Sequence, residues 1–240
     1  MDLNLQQRTS RHVVWDLIED PENENLLFLG TEFGLFFSVN RGGSWVELTG
    51  NTPTIPFRDM EIHEGLGDLV VATFGRGVYV LDDYTPLRLA TPRLLGQDAT
   101  LFPIRDAYAF EPIRYYSAGS GAGAFTAENP PFGAILNYYL KKEVPGEDVA
   151  MVLVIRDSAG KVVAEVRAPN APGFQRSLWN LRGSPTAPSG GASEQNRGRQ
   201  EPMVAQGTFS VTLEYRSDGE YRVLAGPERF NVLSLPTSVR

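Results

Sequence analysis

The stretch Ser38-Val39-Asn40-Arg41-Gly42-Gly43-Ser44-Trp45 places two hydroxyls, an amide and two glycines within one short segment. Such a set suits a catalytic loop, a ligand loop or a tight turn, and the spacing favours the turn. The Asn40 side-chain oxygen can accept backbone N–H groups a residue or two further on. Gly42 and Gly43 can take φ > 0 without steric cost, and Ser44 offers a second local hydrogen bond. Trp45 would open the next strand and bury its ring against neighbouring residues.

Other chemistry is sparse. The chain has two histidines, His12 and His63, and no cysteine. Neither histidine is spaced from a second ligand as a metal site requires, so no metal and no cofactor is expected, and disulfides are excluded. Glu32, Asp59, Asp82 and Asp83 are candidate acids near the apolar N-terminal runs. Glycoside hydrolysis needs two carboxylates roughly 5–10 Å apart across a cleft, and none of these acids sits in a recognised catalytic motif. Asp82-Asp83 can offer carboxylates to a hard cation, or serve as a solvated or capping pair. Arg76, between Gly75 and Gly77, can bind an anionic group or stand in water as a turn residue. Arg11 and Arg58 are further N-terminal cations, but with Arg76 this N-terminal segment alone cannot complete a convergent anion site. Tyr115-Tyr116, Tyr138-Tyr139 and Trp179 can form a sugar-stacking platform, although strand alternation turns one tyrosine of each pair inward and Leu178 and Leu181 draw Trp179 toward the core.

These residues need elements to hold them. The 240 residues are 42% hydrophobic and 21% charged, the balance of a folded soluble protein. With 24 glycines and 17 prolines, short strands and turns are favoured over long helices. A formal net charge of −7 argues against a general nucleic-acid binder, and no apolar run reaches the roughly 18 residues of a membrane helix. The N-terminal residues are polar and contain no signal-peptide core.

A shift of 43 residues lays Asp16-Leu17 on Asp59-Met60 and residues 27–37 on residues 70–80. Gly34 then meets Gly77, and Leu35, Phe36 and Phe37 meet Val78, Tyr79 and Val80. A period of about 40–45 residues built from short strands is the signature of β-propeller blades. Residues 1–85 are therefore expected to form two blades. Residues 86–131, broken by prolines and small residues, are expected to be an irregular connecting strap. Residues 132–240 are expected to form six or seven strands of an immunoglobulin-like β-sandwich. Within them, Ser158-Ala159-Gly160 reads as a hairpin turn, and Phe209, Val211, Leu213 and Tyr215 alternate with Thr208, Ser210, Thr212 and Glu214. Residues 184–202, polar and rich in Gly and Pro, are expected to be a long mobile loop.

Ser38, Asn40, Gly42, Ser44 and Trp45 satisfy every defined position of the Asp-box, Ser/Thr-x-Asp/Asn-x-Gly-x-Ser/Thr-Trp. On this motif the chain resembles the sortilin/Vps10-like BNR-repeat propeller proteins of the glycosyl-hydrolase-like bacterial group. Residues 16–45 look like a blade of that group, and residues 68–88 look like its closing blade. Residues 125–142 and 174–215 are similar to its C-terminal module, an immunoglobulin-like domain related to the flagellar hook-capping protein. The chain departs from the family in two places. Phe74 stands where the family usually has a histidine before its Gly-Arg pair, and Thr85 and Pro86 stand where a second Asp-box would have glycines.

The resemblance implies an all-β chain carrying the last two propeller blades and an immunoglobulin-like β-sandwich. It implies a non-catalytic binding or scaffolding role for protein or glycan ligands in an exported bacterial protein, periplasmic, at the cell surface or secreted. Closed propellers have four or more blades, so the partners implied are missing blades, from a longer chain or a partner subunit. One alternative is the C-terminal end of a glycoside-hydrolase-like enzyme whose catalytic residues lie on other blades. Another is a structural cap formed by the sandwich.

Overall fold

The computed structural model describes residues 13–49, 52–110, 132–144, 150–183, 202–217 and 220–235. It is all-β, built from several mainly antiparallel sheets, and divides into two compact units, Met1–Leu94 and Leu95–Arg240.

In the N-terminal unit, β1 (Val14–Glu19), β2 (Leu27–Thr31), β3 (Leu35–Ser38) and β4 (Val46–Glu47) form one antiparallel sheet in that order. A second sheet holds β5 (Phe57–His63), β6 (Asp68–Thr73) and β7 (Val78–Leu81). The sheets are copies of one design. β1 skips pairing between Val14 and Asp16, and β5 skips between Phe57 and Asp59, so Trp15 and Arg58 each occupy a bulge. Thr31 donates its N–H and its hydroxyl to the Gly34 carbonyl, and Thr73 does the same to Gly77.

Those pairs correct the continuous 43-residue offset. Asp16 faces Gly30 and Glu19 faces Leu27 in the first sheet; Asp59 faces Ala72 and Ile62 faces Leu69 in the second. The middle strand therefore aligns one residue earlier, Leu29 on Val71 and Thr31 on Thr73, while the outer strands keep the longer offset. A shorter connection before β6 and a longer hairpin after it compensate one another. Arg76 lies in that longer hairpin.

The two sheets stack face to face. Phe28, Leu35 and Phe37 of the first bury against Phe57, Met60, Ile62, Leu69 and Val71 of the second, with Tyr84 and Leu87 closing the cluster. Each such side chain contributes about 1.5–3 kcal/mol on burial. Gly30 sits at the closest approach, where a Cβ would stand 2.7 Å from the Phe57 carbonyl oxygen. After β7 the chain makes a helical turn, α1 (Thr85–Arg88), followed by a second, α2 (Pro92–Leu95).

The C-terminal unit begins earlier than residue 132. The expected strap is ordered where it is described: β8 (Ala99–Leu101) and β9 (Ala107–Ala109) are strands of this unit, because their alternating apolar residues complete sheet edges. β8 pairs with β10 (Ala134–Leu140), which pairs with β13 (Gly173–Trp179). The larger sheet runs β12 (Val162–Arg167), β11 (Ala150–Arg156), β14 (Gly207–Ser217), β15 (Glu220–Ser234) and β9, with β9 parallel to β15. The β11–β12 turn forms at Ser158–Gly160 as expected, with Asp157 Oδ1 accepting the Ala159 and Lys161 N–H groups. Residues 111–131 of the expected strap, Tyr115-Tyr116 among them, lie outside the described residues, as do His12, Arg11 and all of the 184–202 loop except Pro202.

Trp179 is buried beside Phe209 and Phe230 and donates its indole N–H to the Arg182 carbonyl. Tyr138 is buried too, its hydroxyl donating to the Pro169 carbonyl. Both belong to the core and form no sugar platform.

Candidate functional site

The Ser38–Trp45 loop is locked by its own side chains. Ser38 Oγ accepts the N–H of Gly42 at 2.8 Å and that of Asn40 at 3.3 Å, and donates to Asn40 Oδ1 at 2.9 Å. Asn40 Oδ1 also accepts the Ser44 N–H, and Asn40 Nδ2 donates to Ser44 Oγ. The turn differs in detail from the expected one. Ser38, not Asn40, takes the nearest backbone N–H, and the positive φ values fall on Arg41 and Gly42 (55° and 82°), leaving Gly43 outside the left-handed region. Trp45 lies half-buried on Leu29 and Phe36. The side chains of Ser38, Asn40 and Ser44 are spent on closing the loop, and among the described residues no acid or histidine is bonded to either serine.

Arg76, Asp82 and Asp83 are not brought together. Arg76 is exposed in the β6–β7 hairpin, whereas Asp82 and Asp83 leave the opposite end of β7. Extended strand advances about 3.3 Å per residue, which separates the arginine from the acids. Asp83 is buried with φ 48°, donates its N–H to Asp68 Oδ1 and accepts the Thr85 hydroxyl at the start of α1. It shapes the chain's exit from β7. His63 is exposed at the end of β5. Among the described residues no three His, Cys, Asp or Glu side chains gather as a metal site, and none of their helices is long and apolar enough to cross a membrane.

Two acids that sequence reasoning passed over carry more. Asp16 Oδ2 accepts the Met60 N–H across the sheet stack at 2.8 Å while Oδ1 accepts the Leu17 N–H. Asp20, its side chain fully buried, receives Arg88 Nε at 2.7 Å, the Tyr84 hydroxyl at 2.6 Å and the N–H groups of Glu22 and Asn23. Burial, with the hydrogen bond to Asp20, pushes the Tyr84 phenol above its ordinary value. Asp20 thereby pins the segment after β7 to the β1–β2 loop. The recurrence of Asp16 at Asp59 was the available sequence signal; Asp20 had none.

The repeat also exposes what is uncovered. Asp16, Gly30 and Leu35 share the face that meets the second sheet, as do Phe28 and Phe37. Their counterparts on the second sheet are Asp59, Ala72 and Val78, with Val70 and Val80. Leu35 and Phe37 are 4% and 6% exposed; Val78 and Val80 are 61% and 51% exposed. On the opposite face, Met60 is 5% exposed and its counterpart Leu17 is 55% exposed. The second sheet thus exposes at Val78 and Val80 the face that its copy buries, whereas on the other face of the first sheet Leu17 is open but Leu29 and Phe36, beside Trp45, are buried.

In the C-terminal unit a cavity of about 640 Å³ opens between the sheets, lined by Leu140, Lys142, Glu143, Tyr215, Tyr221 and Arg222 among others. Beside it Glu214 is fully buried on the face where alternation predicted exposure. Arg156, Thr212, Arg216 and Tyr221 all donate to it. Burial alone would raise its pKa; the bonds from Thr212, Arg156 and Tyr221 outweigh burial and hold the carboxyl below its ordinary value.

No model of a known protein family matches the chain, and no curated protein is significantly similar to it in sequence.

Proposed function

We propose that the N-terminal unit is a pair of propeller blades and that the chain is a non-catalytic binding or scaffolding portion of an exported bacterial BNR/sortilin-like protein, serving protein or glycan ligands. In this reading the C-terminal unit is an immunoglobulin-like sandwich. The observation that carries the proposal is the mismatch in exposure between equivalent faces. Stacked blades of one repeat bury both faces in turn, and the described residues contain one such junction. The shared bulges, the paired Thr–Gly hairpins and the Asp16–Met60 tie support the same reading, as does the ordered resemblance of the motifs. The partner is then a further sheet of the same repeat, from a longer chain or another subunit. Its first strand would offer an N–H to Asp59 and apolar residues to Val78 and Val80.

Replacing both valines by threonine keeps their β-branched shape and removes apolar surface. The Val78→Thr/Val80→Thr chain is expected to bind a fluorescent hydrophobic dye less than the parent while melting at the same temperature. Equal dye binding would count against an uncovered stacking face. Turnover of chromogenic glycosides by the purified chain would contradict the non-catalytic assignment.

A further inference from the structure

Arg58 lies against two exposed aromatic rings. Its guanidinium carbon lies 3.7 Å from the centroid of the Trp15 ring and 5.1 Å from that of Phe74. Two of the three residues come from equivalent places in the fold: Trp15 and Arg58 are the extra residues of the matching bulges in β1 and β5. Phe74 follows β6, where its N–H donates to the Pro56 carbonyl as Glu32 donates to Val13. A bulge re-aims its side chain away from the sheet. Here the two bulges stack an arginine from one sheet on a tryptophan from the other.

Stacking occupies the faces of the guanidinium and leaves its N–H donors at the edge. Arg88 spends its donors on Asp20, Glu22 and Tyr84, and Arg41 pairs with Glu24. Among the described residues the Arg58 side chain has no hydrogen-bond or ion-pair partner, although Asp59 is its neighbour in sequence. The rings beside it are 41% exposed at Trp15 and 66% exposed at Phe74. A planar fork with fixed orientation and unspent donors matches a carboxylate in bidentate geometry. Exposed aromatic surface beside the fork suits the apolar face of a pyranose ring.

We propose that Trp15, Arg58 and Phe74 form a binding site for a carboxylated saccharide of the uronic-acid class, with Arg58 taking the carboxylate and the two rings taking the sugar. This rests on the binding role proposed above and names its ligand class. The site lies at the junction already formed by the two sheets and needs no further sheet.

The test is calorimetric titration of the whole chain with trigalacturonic acid, maltotriose and succinate. Saturable binding of trigalacturonic acid is expected, with maltotriose and succinate each at least about tenfold weaker. Arg58→Lys keeps the charge and loses the fork, and is expected to weaken trigalacturonic acid by about tenfold. Circular dichroism melting of Arg58→Lys identifies any loss of fold, and Trp15→Phe, which keeps a ring, is expected to bind more tightly than Trp15→Ala. The Val78→Thr/Val80→Thr chain is expected to bind as the parent does, so failure of the stacking proposal would leave this result standing. No saturable binding by the parent chain, or equal binding by a folded Arg58→Lys chain, overturns the proposal. Equal affinity for succinate overturns the saccharide assignment.

Discussion

Buried charge decides two local structures in this protein. Asp20 and Glu214 are both fully buried carboxylates, and each is matched by an arginine and several further donors. Burial of an unmatched carboxylate would cost several kcal/mol, so neither site tolerates loss of its partners. Because Glu214 titrates lower when folded than its ordinary value of 4.5, the unfolded chain binds its proton first as pH falls. Its contribution is full above that value and is lost as pH drops through the folded pKa. Denaturation of the C-terminal unit followed between pH 7 and pH 3 is expected to show that loss. Glu214→Gln is expected to be less stable at pH 7 by roughly 3 kcal/mol and to change less on acidification. The sequence hid this residue because β14 alternates cleanly, and alternation reports which way a side chain points but not whether neighbouring strands cover it. Ser38 and Asn40 were legible for the opposite reason: their partners lie within the same loop.

At the level of elements, the stack depends on backbone proximity as much as on apolar area. Gly30 is required by contact with Phe57, and a methyl group there would displace β5. Gly30→Ala is expected to destabilise the N-terminal unit by about 1–3 kcal/mol in chemical denaturation. Its counterpart Ala72 faces away from the stack and carries a methyl group. The strands themselves could be read from their apolar runs and from the glycines that end them. The offset of β6 could not, because a residue lost in one connection and gained in the next leaves the overall period unchanged. The strands β8 and β9 were missed because each is three residues long, too short to show a period, and each is an edge strand held by a partner far away in sequence. The Trp15–Arg58 stack was hidden for a related reason: a bulge is a matter of pairing, and only the paired neighbours reveal which residue is extra.

At the scale of the whole chain, the proposal turns on apolar surface left open on both sheets of the N-terminal unit, at Val78 and Val80 on one and at Leu17 on the other. The Val78/Val80 face matches the one that the first sheet buries; Leu17 matches the buried Met60, while Leu29 and Phe36 on its face are already covered beside Trp45. Complementary patches at different places on one molecule make a heterologous contact between copies. On this proposal, absent further sheets of the repeat, copies of the chain would supply what each face lacks. Sedimentation velocity over a hundredfold range of concentration measures this directly. The proposal predicts concentration-dependent association, weakened both by Leu17→Thr and by Val78→Thr/Val80→Thr, with melting temperature unchanged in either. A monomer at every concentration, or association that neither substitution alters, would contradict it.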